Sequence, residues 1–217
     1  MIYKAVLFDL DGTLLNTIED IADAVNRALK SLSFPVHPVE SYKEFVGDGI
    51  TVLAKRVLPK EEQTSENIAK CLEAINKEYK KGLLIKTKPY NGILDLLKNL
   101  IQKKIPIGIV SNKPHELTVH SVKKIFSDIN FSVVLGEQNG IPHKPDPAMV
   151  LKAAKEINVD PQLCVYVGDS GIDMKTAVLA NMYPVGVLWG FRTKEELLAN
   201  GARLLVEHPL EILKKLF

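Results

Sequence analysis

Five short runs of apolar, mostly β-branched residues punctuate the chain: Ala5 to Phe8, Ile105 to Val110, Val133 to Leu135, Cys164 to Val167 and Val185 to Leu188. Runs of this length without polar alternation predict strands buried on both faces. Between the later runs the apolar spacing becomes helical, over Gly92 to Lys103, Pro114 to Phe126, Pro147 to Ile157 and Ile172 to Met182, with Asp146 as a cap candidate. Thr193 and Glu196 have the spacing of a capping box, and Gly201 is placed to end the helix they begin. Strands alternating with helices predict an α/β, Rossmann-like parallel sheet with helices on both faces.

The stretch over residues 16–84 breaks this alternation. Ile18, Ile21, Ala22, Val25 and Leu29, then Ile68, Leu72 and Ile75, recur at helical spacing without a convincing strand. The pattern predicts a helical cap inserted between the first two strands, leaving residues 1–15 and 85–217 as the α/β core. Pro35, Pro38, Gly47 and Gly49 mark loops within residues 31–49 of the insertion.

Composition narrows the classes. At 217 residues the chain suits one large domain or one domain with a sizeable insertion, and it can bury about 70% of its unfolded surface. It is 46% hydrophobic and 25% charged, which argues against disorder. Lys+Arg at 28 against Asp+Glu at 26 leaves a net charge of +2, so the electrostatic basis for a nucleic-acid partner is missing. The run Lys77 to Lys81 also holds Glu78 and Tyr79 and reads as a solvated helix face. Cys71 and Cys164 lack zinc-site neighbours and lie far apart, against both metal and disulfide. The opening MIYKAVLFDLDGT has its apolar run broken by Asp9 and Asp11, unlike a signal peptide, and no stretch has the apolar length of a membrane span. The expectation is a cytoplasmic protein with no membrane partner, as a monomer or homodimer.

In parallel sheets ligands bind beyond the carboxyl ends of the strands. The first run delivers Asp9 and Asp11 there, the second Ser111 and Asn112, and the fourth Gly168, Asp169, Ser170 and then Asp173; Lys144 follows the third, inside HKPDP. Asp9 and Asp11 share a side if the chain stays extended, and Gly12 permits a sharp turn after them. Four carboxylates in one crevice would repel by up to ~4 kcal/mol per close pair at an effective dielectric of ~20. Mg²⁺, which takes carboxylate oxygens and keeps room for phosphate, together with Lys144, would offset them. Ser111, Asn112 and helix N-terminal amides add donors for a phosphate dianion, and the set points to phosphoryl transfer. Bland alternatives stand beside this one: Asp-Gly turns are ordinary, Ser111, Asn112, Asp169 and Asp173 all suit helix caps, and lysine before proline is common.

DLDGT at 9–13, VSN at 110–112, KPDP at 144–147 and GDSGID at 168–173 together resemble the four motifs of the haloacid dehalogenase-like (HAD) hydrolase superfamily, in order and along the whole chain. SNKP at 111–114, with the insertion after the first motif and Gly47-Asp48-Gly49 inside it, looks most like the phosphoglycolate phosphatase branch. The resemblance implies strand order 3-2-1-4-5 and a Mg²⁺-dependent phosphatase acting on a small phosphorylated metabolite such as 2-phosphoglycolate. It makes Asp9 the nucleophile that becomes an aspartyl-phosphate and Asp11 the acid and base. It assigns Mg²⁺ to Asp9, Asp169 and the Asp11 carbonyl, and the phosphoryl group to Ser111, Asn112 and Lys144. Gly12, Thr13, Ser170 and Asp173 are supporting residues, Asp173 orienting Lys144 or a water on the metal. Gly47, Asp48 and Gly49 are read either as a turn in the cap or as contacts to the leaving group, with Lys43 and Arg56 as weaker candidates for a substrate carboxylate. Asn16 departs from the Asp of many relatives, at the border of the cap.

Asp11 speaks against dehalogenase and phosphonatase chemistry, while pyrophosphatase, nucleoside monophosphate phosphatase and sugar-phosphate mutase remain alternatives. A non-catalytic phosphometabolite-binding module is the rival from another class. Trp189 is read as packing rather than as a substrate platform, and His143 as positional.

Overall fold

A computed structural model describes residues 3–81 and 84–217, apart from the Lys80 side chain. Met1 and Ile2 of the opening run and the Lys80 side chain of the lysine-rich run thus lie outside what is described. The strands are β1 (Ala5–Phe8), β2 (Leu15–Asn16), β3 (Lys88–Pro89), β4 (Ile107–Pro114), β5 (Val133–Glu137), β6 (Cys164–Gly168), β7 (Tyr183–Val187) and β8 (Leu204–Val206). The chain divides into two compact units, one of Met1–Asn16 with Pro89–Phe217 and one of Thr17–Lys88.

The first unit is built on a six-stranded parallel sheet in the order β5-β4-β1-β6-β7-β8. Counted along the chain, the five strands read from the sequence lie in the order 3-2-1-4-5, and β8 adds a sixth at the edge. Each central strand is buried on both sides because its alternate residues enter different cores. Val6, Phe8, Val165 and Val167 join Leu96, Leu97, Leu100 and Ile212 from the helices Ile93–Gln102 and Leu210–Leu216. Ala5, Leu7, Cys164 and Tyr166 join Met149, Val150, Ala153 and Ala177 from the helices Ala148–Glu156 and Gly171–Leu179. β1 sits at the centre between β4 and β6, so the ends of the three strands that carry the polar motifs are neighbours.

Local details depart from the sequence pattern in three places. β4 runs on through Ser111 to Pro114, with its pairing to β5 shifting between Val110 and Pro114, so Ser111 and Asn112 extend a strand rather than cap the following helix. The capping box expected at Thr193 is half made: the Thr193 hydroxyl accepts from the Glu196 amide, but the Glu196 carboxylate accepts from Gly171 N at 2.9 Å. The complete reciprocal box is at Ser170 and Asp173, opening the helix Gly171–Leu179.

The second unit contains the helices Ile18–Ser31, Tyr42–Phe45, Ile50–Arg56 and Ser65–Lys81, so one short helix falls inside the stretch expected to be loop. The two long helices pack together, burying Ala22, Val25 and Leu29 of one and Cys71 and Ile75 of the other. Arg27 pairs with Glu78 at 2.8 Å between them. No helix among the described residues is long and apolar enough to cross a membrane.

Candidate active site

The sharp turn after β1 sets the first two carboxylates. Asp9 N donates to Val167 O at 2.9 Å, which fixes the end of β1 against β6. The Leu10 carbonyl then accepts from Leu14 N and Leu15 N, and Gly12 takes the left-handed φ of +86° that this reversal requires. A Cβ at Gly12 would collide with the Asp169 carboxylate, so the loop approaches β6 as closely as bare backbone allows. Thr13 Oγ1 donates to Asp169 Oδ1 at 3.3 Å, and the Trp189 indole N–H donates to the Thr13 carbonyl at 2.9 Å. Phe191 N donates to Asp169 Oδ2 at 2.7 Å.

Beyond β6, Asp173 faces two ways. Its Oδ2 accepts from Ser170 N and from the Ser170 hydroxyl, closing the capping box, while its Oδ1 lies 2.7 Å from Lys144 Nζ. The helix-cap reading and the reading that ties Asp173 to Lys144 thus describe one side chain, one oxygen each. Lys144 also stands 2.9 Å from Asp9 Oδ1 and 3.1 Å from the Tyr166 hydroxyl, which donates to Val110 O at 3.0 Å. Asn112 holds the loop that carries this lysine: its Oδ1 accepts from Lys144 N at 2.9 Å and its Nδ2 donates to Lys144 O at 3.1 Å. Asn112 thus grips the Lys144 backbone. The Ser111 hydroxyl, buried beside it, accepts from Lys113 N at 3.3 Å.

Two participants carry no sequence signal of their own. Tyr166 reads as an ordinary strand aromatic, yet its hydroxyl is a third partner for Lys144. Lys113 sits inside SNKP, and its Nζ lies 3.0 and 3.2 Å from the two carboxylate oxygens of Asp11, with both side chains nearly enclosed.

Oxygens of Asp9, Asp169 and Asp173 come within 4.8 Å of one another, all buried. Among these side chains Lys144 alone is cationic, so three carboxylates against one ammonium leave two negative charges; Asp11 is matched by Lys113. Burial pushes the Asp9 carboxyl up to about 7, opposed by Lys144 and reinforced by Asp173. Burial also lifts Asp169 well above the carboxylate range, with Asp173 and Asp9 adding to it and the Phe191 amide and Lys144 opposing. Lys144 stays an ammonium: burial alone would lower its pKa, but Asp173 and Asp9 raise it well above the ordinary value. A hard all-oxygen donor set and a formal deficit of two positive charges both fit a divalent cation.

Gly47, Asp48 and Gly49 belong to the second unit, with φ of +121° at Gly47 and +89° at Gly49, and Asp48 pairs with Arg56, which also donates to the Phe45 carbonyl. Lys43 pairs with Glu40 at 2.7 Å, and His143 lies 3.1 Å from Glu137. Asn16 is exposed at the end of β2.

The model of the haloacid dehalogenase-like hydrolase family matches residues 6–187. The phosphoglycolate phosphatase of Aquifex aeolicus is 31% identical over 192 residues, covering 87% of this chain and 86% of that protein. The phosphoglycolate phosphatase of Neisseria meningitidis is 34% identical over 194 residues, covering 87% and 81%. A crystal structure from Lactobacillus delbrueckii subsp. bulgaricus superposes with a TM-score of 0.94 at 34% identity, covering 100% of this chain and 99% of that one. CbbY from Rhodobacter sphaeroides in complex with phosphate shares the fold at a TM-score of 0.79 and 22% identity, covering 97% and 96%.

Proposed function

The chain belongs to the haloacid dehalogenase-like hydrolases and is a phosphoric monoester hydrolase, and from that premise we propose that it works with Mg²⁺ through an aspartyl-phosphate, with 2-phosphoglycolate as its substrate. The observation that carries this reading is the meeting of Asp9, Asp169 and Asp173, with the Lys144 ammonium against Asp9 and Asp173. The names of the relatives support the choice of substrate.

The Asp9 carboxylate attacks phosphorus, forming an oxygen–phosphorus bond as the ester oxygen departs with the bonding pair. Asp11, two residues along the same turn, takes up a proton as it leaves Lys113 and gives that proton to the departing alkoxide. In the second step Asp11 removes a proton from water as the water oxygen bonds to phosphorus, and the Asp9–phosphorus bond breaks to release inorganic phosphate. Lys144, held by Asp173 and Tyr166, keeps its ammonium against Asp9 and against the transferring oxygens. Ser111 adds a hydroxyl donor to them. Asp9, Asp169 and the Asp11 carbonyl would hold Mg²⁺, which when bound neutralises charge on the phosphoryl oxygens. Preorganised charge of this kind is what slow monoester hydrolysis demands.

Phosphate release across a panel of phosphomonoesters, with and without Mg²⁺ and ranked by kcat/KM, tests the proposal. It expects Mg²⁺-dependent release with 2-phosphoglycolate at or near the top. Release unaffected by a chelator, or binding of phosphoesters without release, would overturn it.

A further inference from the structure

Of the two lysines described at the site, the phosphoryl-transfer scheme leaves Lys113 without a task. Lys144 is fully engaged, its ammonium shared among Asp9, Asp173 and Tyr166. Lys113 Nζ instead meets the two oxygens of a single group, the Asp11 carboxylate, and its side chain is only 7% exposed. Asp11 is the residue that has to reach the ester oxygen. As long as both of its oxygens face Lys113 it is occupied. When it turns to the leaving group, an ammonium with little access to water loses its counter-charge, and an uncompensated charge in such a place is strongly unfavourable.

We propose that Lys113 is the specificity-determining residue for a second anionic group on the substrate, a carboxylate attached close to the ester oxygen. The inference rests on the phosphatase reading above and deepens it. Whatever Asp11 touches at the leaving oxygen is within one contact of Lys113, because the two side chains touch each other. A leaving group with a carboxylate one carbon from that oxygen presents its charge to the ammonium as Asp11 departs. The exchange conserves ion pairs: Asp11 gives up Lys113 for the ester oxygen, and Lys113 gives up Asp11 for the substrate carboxylate. An ester with an uncharged leaving group makes only half of this exchange and leaves Lys113 stranded. Selection by an otherwise unpaired group in the site discriminates far more strongly than apolar fit.

The test compares 2-phosphoglycolate with two probes that lack the charge, its primary amide and ethyl phosphate, in wild type, Lys113→Met and Lys113→Arg. Wild type is expected to prefer the acid over the amide by at least ~30-fold in kcat/KM. Lys113→Met should bring that ratio close to one, chiefly by raising KM for the acid, and Lys113→Arg should restore most of it. Should Lys113→Met be too slow to assay, the affinities of Asp9→Asn and Asp9→Asn/Lys113→Met for acid and amide, by calorimetry, read the same ratio without turnover. A ratio that survives loss of the lysine, or a wild type that hydrolyses acid and amide alike, overturns the inference while the phosphatase reading stands. Absence of phosphate release by wild type from all three probes defeats the phosphatase reading itself.

Discussion

The Lys144 ammonium lies 2.7 Å from Asp173 Oδ1, with both side chains almost wholly enclosed. Asp173 is therefore the counter-charge that lets a lysine remain ionised in the interior, and its second oxygen closes the first turn of a helix. Asp173→Asn keeps the shape and removes the charge. Breaking a buried pair from one side should destabilise the protein by about 3–5 kcal/mol. Loss of lysine positioning should lower kcat/KM by about 10²-fold. Urea titration and steady-state kinetics check the two parts, and a variant with unchanged stability would show that the pair contributes nothing net.

Asp9→Asn addresses the nucleophile. The amide is isosteric, and the site already disfavours a charge at Asp9, so folding should be preserved. Turnover should fall by ~10⁴-fold or more, the scale seen when a covalent nucleophile is removed. Mass spectrometry of rapidly quenched protein should show a phosphorylated species in wild type and none in the variant. Substantial remaining activity would reject the assignment.

Much of this arrangement is legible in the amino-acid sequence, and the exceptions have physical causes. The five apolar runs are visible because both faces of each strand enter a core, whereas β8 is a three-residue edge strand with Leu204 and Leu205 only partly buried. Asp9, Asp169 and Lys144 stood out because strand ends concentrate polar residues that no core would accept. Lys113 was hidden because its partner lies 102 positions earlier, and one lysine among 28 basic residues carries no mark of which carboxylate it will meet. The Thr193–Glu196 spacing satisfies the capping rule, but the Glu196 carboxylate finds a better use at the Gly171 amide, which only the packing of two helices provides.

The raised Asp9 carboxyl makes stability depend on pH in the chelated protein. Folded Asp9 holds its proton to about 7, whereas unfolded it releases it near the ordinary 3.8. Between those values unfolding releases a proton, so this contribution is complete below pH ~4, declines as pH rises and is gone above pH ~7. Asp169 acts in the same direction. The melting temperature of wild type relative to Asp9→Asn should therefore fall from pH 4 to 7 in chelator and level off above. Added Mg²⁺, which favours the ionised form, should flatten the slope. An equal slope in both proteins would show that Asp9 titrates normally.

Gly190 lies against Asp169, and a Cβ there would collide with the Asp169 side chain and the Gly12 carbonyl. Neither neighbour can yield easily, since Asp169 is held by Phe191 N and Thr13. Gly190→Ala should cost about 1–3 kcal/mol of stability and weaken Mg²⁺ binding by about 10-fold or more through the displaced carboxylate. Calorimetric titration with Mg²⁺ reads this directly, and an unchanged Kd would place the metal away from Asp169.

Asp20, in the first turn of the helix Ile18–Ser31, ties that helix to the returning chain of the second unit. Its carboxylate accepts from Lys86 N at 3.0 Å, Thr87 N at 2.8 Å and the Thr87 hydroxyl at 2.6 Å. Burial alone would raise its pKa, but the Thr87 hydroxyl and the Lys86, Thr87 and Leu84 amides more than offset this and lower it. The stabilisation is thus present above pH ~4 and lost as pH falls below the ordinary carboxylate value. Asp20→Asn turns an NH₂ group toward these donors and leaves at least one unsatisfied, at a cost of about 1–3 kcal/mol. Urea titrations should show a clear gap between wild type and variant at pH 7 that narrows toward pH 3, because protonation deprives the wild type of the same acceptor. A gap that is constant with pH would mean that packing, and not the charge, holds this connection.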